Sequence, residues 1–338
     1  MESVAQTKFS STFFKRWGKE AIMSKKALII GAAGFVGGYL TDELIKQEYE
    51  VYATKLEFEK IEGTGATVYN MDVTSVTETE AVIADVKPDV VFHLAAQSSV
   101  KLSWEKPLLT LNVNIIGALN VLEACRKLGE TGNKPKILLI GSAEEYGKVT
   151  PEQCPIKEEL SCAPKNLYAL SKLTQNGLGR IYSEAFGMDI ITVRAFNHTG
   201  PKQSPAFVLA DFCKQVAEIE AGVKEAVISV GNLEAMRDFT DVRDIVKAYL
   251  LLAEKGKGGD TYNVGRGEAV KISSLLEMIL KEAKTEIEVR RDENRMRPSD
   301  VPLHVADTEK IRRDTGWRPT ISLNETVRDT LDYWRENV

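Results

Sequence analysis

Ala27-Leu28-Ile29-Ile30 runs straight into Gly31-Ala32-Ala33-Gly34-Phe35-Val36-Gly37, and Leu40, Leu44 and Ile45 then recur at helical spacing. An apolar run, a glycine-rich turn and an amphipathic helix, in that order, open a nucleotide-binding βα unit. One glycine permits the tight turn, another lets the backbone approach a pyrophosphate, and the third lets helix pack closely on strand. The helix N-terminus brings free N–H groups and the positive end of its dipole to the phosphates. Gly31, Gly34, Phe35, Val36 and Gly37 are therefore candidate cofactor contacts.

The alternation continues outward from this unit. Val51-Tyr52-Ala53-Thr54, Val68 to Met71, Asp89 to Leu94, Ile137 to Ile140 and Ile190 to Val193 read as strands. Near-continuous apolar strands between amphipathic helices predict a doubly wound α/β fold, a parallel sheet covered on both faces. Two longer helices are predicted over about 107–128 and 167–186. On the first, Leu108, Leu111, Ile115, Leu119 and Leu122 form one stripe, and Val113, Ile116 and Val121 add apolar surface elsewhere. Such a helix is buried on more than one side, either within one chain or against a partner. A homodimer through these two helices is the expectation.

Composition excludes other classes. With 43% hydrophobic and 28% charged residues the chain is an ordinary globular one. A net charge of −5 argues against a sequence-independent nucleic-acid binder, which needs positive excess. The histidines are His93, His198 and His304, and the cysteines Cys125, Cys154, Cys162 and Cys213. No CxxC pair and no zinc spacing occurs among them, so no metal is expected. No unbroken apolar run reaches the roughly 18 residues of a membrane span. Residues 1–23 read as a tail outside the folded body, disordered or foreign to the native chain, with Met23 as the natural start. Glu2, Glu20 and the lack of an apolar stretch argue against a targeting peptide. The expected location is the cytoplasm, with reduced cysteines.

An acid about 20 residues beyond the glycine turn would grip the adenosine ribose of NAD. Thr54-Lys55 stands there instead, and Lys55 suits a 2′-phosphate. The expected cofactor is thus NADP(H) or NAD(H), leaning to NADP(H). Asp72 either reaches the adenine edge or caps the next helix.

Tyr168 and Lys172 stand four apart on the second long helix, on one face. A neighbouring ammonium favours phenolate, so the pair suggests a tyrosine tuned for proton transfer at a carbonyl or alcohol. Ser142 follows the Ile137–Ile140 strand, at a carboxyl end of the sheet where ligands bind. A dinucleotide turn, a strand-end serine and a downstream Tyr/Lys pair together point to hydride transfer.

These features resemble the extended short-chain dehydrogenases/reductases, whose fold is Rossmann-like, and the likeness spans Lys26 to Trp334. The matching stretches are the glycine turn, His93-Leu94-Ala95-Ala96-Gln97, Asn114-Ile115-Ile116-Gly117, Ser142 with Glu144-Glu145-Tyr146-Gly147, and Tyr168/Lys172. Within that family, Arg194 to Pro201, Arg237 to Val242 and Met296 to Val301 resemble the GDP-4-dehydro-6-deoxy-D-mannose reductases closely, and the GDP-mannose 4,6-dehydratases somewhat less. The resemblance implies catalytic roles for Ser142, Tyr168, Lys172 and Glu144. It implies cofactor contacts from Val73, Leu94, Ala95, Ala96 and Asn114 as well, together with Lys55, Asp72, Tyr168 and Lys172. Gln97, Ser98, Ser142, Asn197, Val208, Lys214, Arg237, Arg297, Ser299 and Asp300 are implied for the GDP-sugar. Arginine suits the diphosphate because its planar fork binds phosphate oxygens bidentately. Asp300 is a shorter substitute for the Glu that is frequent in the family. His93 is expected to be a satisfied core residue, and His198 to pack or hydrogen-bond.

Three functions follow as expectations. The first is NAD(P)H-dependent reduction of the 4-keto group of GDP-4-dehydro-6-deoxy-D-mannose to GDP-D-rhamnose, or to its C4 epimer GDP-6-deoxy-D-talose. The second is 4,6-dehydration of GDP-mannose, with Glu144 as base, or another nucleotide-sugar epimerisation or reduction. The third is a non-catalytic dinucleotide sensor. Residues 24–196 plus about 238–266 are expected to form the dinucleotide domain, and about 197–237 plus 267–338 an interleaved sugar-nucleotide lobe.

Overall fold

The computed structural model describes residues 24–61, 64–295 and 303–338. The tail of residues 1–23 lies outside them. β1 (Lys26–Ile30) leads into α1 (Phe35–Lys46), then β2 (Glu50–Lys55), β3 (Thr67–Asn70), α2 (Val76–Val86) and β4 (Val90–His93). α3 (Val100–Glu105) and α4 (Pro107–Leu111) precede a π turn at Asn112–Ile116 that continues into α5 (Gly117–Glu130). β5 (Lys136–Ser142), α6 (Leu167–Phe186), β6 (Ile190–Ala195) and β7 (Asn197–Thr199) follow. Next come α7 (Val208–Glu220), β8 (Val227–Val230), β9 (Met236–Asp241), α8 (Val242–Lys255) and β10 (Thr261–Val264). The chain ends with β11 (Ala269–Lys271), α9 (Ile272–Glu282), β12 (Glu288–Arg291), β13 (Leu303–His304), α10 (Glu309–Thr315) and α11 (Leu323–Arg335).

Among the described residues, seven strands form one parallel sheet in the order β10-β6-β5-β4-β1-β2-β3. This is the Rossmann-like doubly wound arrangement. Alternate side chains of each strand feed two cores. Ile29, Phe92, Leu138 and Val193 pack with α1 and α8 on one face. Leu28, Val91, Leu139 and Ile190 pack with α2 and α5 on the other. Ile311 of α10 and Trp317 just after it join the first of these cores. Trp317 also donates to the carbonyl of Asp244 at 2.9 Å. A separate cluster binds α7, α9 and α11 around Phe212, Leu275 and Leu331.

The helix predicted over 167–186 spans Leu167–Phe186, capped by Asn166, whose side chain accepts from Ala169 N–H, and closed by Gly187 in the left-handed region. The other long helix runs unbroken over Pro107–Glu130 through the π turn. Although no uninterrupted apolar run is present, this helix is long and apolar enough, by length and composition, to cross a membrane. Half of its most apolar window is buried inside the molecule.

Candidate active site

The glycine turn has the geometry that its sequence requires. Gly31 sits at φ +85°, and a Cβ there would lie 2.7 Å from the Ala95 backbone. Its N–H donates to Thr54 Oγ1 at 3.1 Å, and Ala32 N–H to the Thr54 carbonyl at 2.8 Å. A Cβ on Gly37 would lie 2.4 Å from the Ala32 carbonyl oxygen, so helix and turn are in contact there. Gly34 caps α1 with no side-chain hydrogen bond, and no acid stands in the first turn around Phe35 and Val36. The helix N-terminus is thus open to an anion, and these residues fit the pyrophosphate of a dinucleotide.

The neighbouring candidates are placed as follows. Lys55 ends β2, with its ammonium on the carbonyls of Leu56 and Glu57 at 3.2 Å each. Asp72 closes its own turn by accepting from Thr74 N–H and Oγ1 at 2.9 and 2.8 Å. The helix-capping alternative for Asp72 is corrected: Ser75 caps α2, accepting from Glu78 N–H. Val73 is buried, and its carbonyl accepts from Asn120 at 3.0 Å. Leu94 and Ala95 donate to the Ile30 carbonyl at 2.9 and 2.8 Å, which carries half-buried Leu94, Ala95 and Ala96 past the glycine turn. Asn114 is fully buried in the π turn. Its amide group donates to the Gln97 carbonyl (3.1 Å) and to Ser171 Oγ (2.9 Å), and its oxygen accepts from Gln97 N–H (2.8 Å). Both of its donors are spent on protein, so it braces the 94–99 segment against α6. Gln97 is likewise engaged, donating to Thr110 Oγ1 at 2.7 Å and to the Ser99 carbonyl at 3.1 Å.

Ser142 ends β5 and stands close to Tyr168, which is half-buried on α6. Burial pushes the Tyr168 phenol well above its ordinary value, Glu144 and Glu145 push the same way, and Ser142 opposes them. Lys172 is 2% exposed. Its ammonium donates to the Ile140 carbonyl at 2.7 Å and to Gln175 Oε1 at 3.0 Å. Burial drags it down to about 8 against the pull of Glu145. The lysine is anchored to β5, and desolvation dominates the tyrosine. Glu144 donates its N–H to Ser142 Oγ at 3.2 Å, and its carboxylate accepts from Asn166 at 3.2 Å.

On the substrate side, Asn197 is exposed on β7, Ser98 is exposed, and half-buried Val208 opens α7. Arg237 lies on β9 and donates to the Met236 carbonyl at 2.9 Å, with His304 beside it in register. Lys214 stands on α7. Its ammonium lies 3.5 Å from Glu218 and 5.5 Å over the Trp334 ring, in the seam between α7 and α11. Arg297, Ser299 and Asp300 lie outside the described residues. His198 stacks parallel on Phe35 at 6.3 Å, its Nδ1 3.1 Å from the Phe196 carbonyl. His93 is buried as expected, but among the described residues neither ring nitrogen has a hydrogen-bond partner, and burial lowers it to about 3.

Two features were missed by sequence reasoning. Glu145 is completely buried beneath Ser142 and paired with Arg194. Its signal was the Ser142-x-x-Glu145 spacing, a capping-box pattern. A cavity of about 350 Å³ is lined by Val230, Gly231, Asn232, Leu233, Glu234, Val289 and Arg291. It draws on strands distant in sequence, so no local pattern announces it.

A family model described as GDP-mannose 4,6 dehydratase matches residues 28–330. The GDP-6-deoxy-D-mannose reductase of Pseudomonas aeruginosa is 36% identical over 251 residues, 74% of this chain and 82% of that protein. A GDP-mannose 4,6-dehydratase of Vibrio cholerae is 27% identical over 353 residues, 91% and 93% of the two chains. The structure of RMD from Pseudomonas aeruginosa complexed with NADPH superposes with a TM-score of 0.82 at 31% identity, covering 93% of this chain and 100% of that one. The UDP-glucose 4-epimerase of Thermus thermophilus in complex with NAD gives 0.83 at 30% identity, with the same coverage. Sheet order, glycine turn and the match over residues 28–330 agree, and the chain belongs to the GDP-mannose 4,6-dehydratase family of short-chain dehydrogenases/reductases.

Proposed function

We propose that this chain is an NADP(H)-dependent reductase of the 4-keto group of GDP-4-dehydro-6-deoxy-D-mannose, with GDP-D-rhamnose as product. The observation that carries the choice of reaction is the 36% identity to a GDP-6-deoxy-D-mannose reductase, against 25% to 29% to GDP-mannose 4,6-dehydratases. The raised Tyr168 phenol supports it too, because a reductase needs its tyrosine protonated at rest. The glycine turn and the start of α1 would hold the dinucleotide, which supplies hydride when bound. Tyr168 donates its proton to the C4 oxygen as negative charge develops there. Ser142 hydrogen-bonds the same oxygen. Lys172, fixed to β5, is the group for the nicotinamide ribose. Lys55, with no carboxylate in place of it after β2, supports the lean to NADP(H) over NAD(H).

Asn197, Ser98 and Val208 would face the sugar and Arg237 the diphosphate, with Arg297, Ser299 and Asp300 assigned from sequence alone. The cavity at Asn232 and Arg291 suits a purine base. We place the protein in the cytoplasm, acting without metal, membrane or nucleic acid. Exposed Leu108, Ile116, Leu170, Ile181 and Phe186 on the two long helical segments, with Trp104 on α3 just before the first, support a homodimer.

The second reading, 4,6-dehydration, rests on half-buried Glu144 beside Tyr168. Incubation with GDP-mannose and no added reductant separates the two. The proposal expects no 4-keto sugar, and its accumulation would establish the dehydratase. Dinucleotide sensing without chemistry is disfavoured by the Ser142–Tyr168 pair.

A further inference from the structure

The turn after Ser142 carries a carboxylate that the proposed reaction does not consume. Glu145 folds back on Ser142, and its Oε1 accepts the Ser142 N–H at 2.8 Å. From α6, Asn176 Nδ2 donates to both carboxylate oxygens at 2.8 Å. From β6, Arg194 Nε donates at 3.1 Å. Gly141 makes room, since a Cβ there would lie 2.4 Å from Glu145 Oε1 and 2.5 Å from Asn176 Nδ2. The Ser142 N–H, the Asn176 amide group and Arg194 Nε thus all donate to Glu145, while Arg194 Nη1 serves Tyr146 and the Glu158 carbonyl. An ionised carboxylate, which only accepts, fits these three donors; burial pushes the Glu145 carboxyl up, and Arg194, Ser142 and Asn176 oppose that push. Arg194 remains a cation throughout.

Asn176 stands four residues after Lys172, on the same face of α6. The Glu145 socket therefore joins the strand end that bears Ser142 to the helix face that bears Lys172. Lys172 touches the Ile140 carbonyl of β5 and Gln175 of its own helix; Glu145, bonded to Ser142 N–H two residues along the same strand end and paired with Arg194, and His93 from β4 act on it through charge without contact. Among these Glu145 is the anion.

We infer that Glu145 is a positioning residue of the reaction edge: it locks Ser142 to the Tyr168/Lys172 helix and is the buried counter-ion that keeps Lys172 protonated. The inference rests on the reading of Ser142, Tyr168 and Lys172 given above. Desolvation and Glu145 act on Lys172 in opposite directions. Loss of the carboxylate charge therefore moves the Lys172 titration to lower pH. A merely structural Glu145–Arg194 pair would change stability and leave that titration where it is.

Glu145→Gln keeps the shape and removes the charge. It strands the Arg194 cation, so the double variant Glu145→Gln/Arg194→Gln, which removes both charges, is made beside it. Glu145→Asp keeps the charge. The full chain with ¹³C-labelled lysine side chains is titrated by NMR, and the Lys172 signal is assigned by its loss in Lys172→Met. The expected midpoint is near 8 in the native chain and in Glu145→Asp, and lower in both glutamine variants. The alkaline limb of kcat for keto-sugar reduction moves down with it. An unchanged midpoint in the glutamine variants overturns the inference, whatever their activity. A lowered midpoint in a chain that turns over no GDP-keto-sugar upholds the counter-ion role and overturns the reading of the reaction instead.

Discussion

Lys172 donates to the carbonyl oxygen of Ile140 at 2.7 Å, two residues before Ser142 on the same strand. Helix α6 is thereby pinned to the sheet at the level of the proposed chemistry. Tyr168, one turn earlier on that helix, is brought near Ser142 by the same pin.

Tyr168→Phe removes the proposed proton donor and leaves the ring in place. Turnover is expected to fall on the order of 10²–10⁴-fold, the scale of a general acid, with dinucleotide affinity retained. Steady-state NADPH oxidation together with a fluorescence titration of NADPH checks both halves.

Gly37→Ala places a methyl group 2.4 Å from the Ala32 carbonyl, where backbone rather than a flexible side chain stands in the way. The turn and α1 must separate. NADPH binding is expected to be lost and the chain destabilised by about 1–3 kcal/mol, the usual cost of overpacking. Calorimetric titration and denaturant unfolding measure the two effects.

His93 makes stability depend on pH. It protonates near 6.5 in the unfolded chain and only at about 3 when folded. Between those values the unfolded state binds the extra proton, so stability is full above about 6.5 and falls as pH drops toward 3. The slope from this group is about 1.4 kcal/mol per pH unit at most. Among the described residues neither nitrogen has a partner to lose, so His93→Leu is expected to fold and to show a shallower acid loss. Unfolding free energies of the two proteins at neutral pH and near pH 5 are the comparison. Parallel acid losses would show that His93 is hydrated or paired in solution.

The exposed face of the two long helical segments predicts a dimer. Leu108 is 81% exposed and Ile181 53%, too much apolar side chain to leave in water on adjacent helices. Light scattering is expected to give twice the chain mass. Leu108→Glu with Ile181→Glu should give the monomer.

The parts of the fold visible in sequence were those written in local pattern. The run into Gly31, the apolar strands and the 167–186 helix needed nothing beyond periodicity and caps. Features made by distant segments were not visible. Asn114 is buried in the π turn and bonded to Gln97 and Ser171, partners 17 and 57 residues away that no local pattern announces. Lys214 lies against Trp334 of α11, an approach that no pattern in the 208–220 stretch encodes. The Tyr168/Lys172 spacing placed both residues on one face correctly. Their proton affinities depend on burial, which only the packed structure sets.

The most direct test is to mix the purified chain with GDP-4-dehydro-6-deoxy-D-mannose and either NADPH or NADH, follow dinucleotide absorbance and identify the product by NMR. The account predicts stoichiometric oxidation, faster with NADPH, and a GDP-6-deoxyhexose reduced at C4, GDP-D-rhamnose. No oxidation of either dinucleotide by a folded, dinucleotide-binding chain would contradict it.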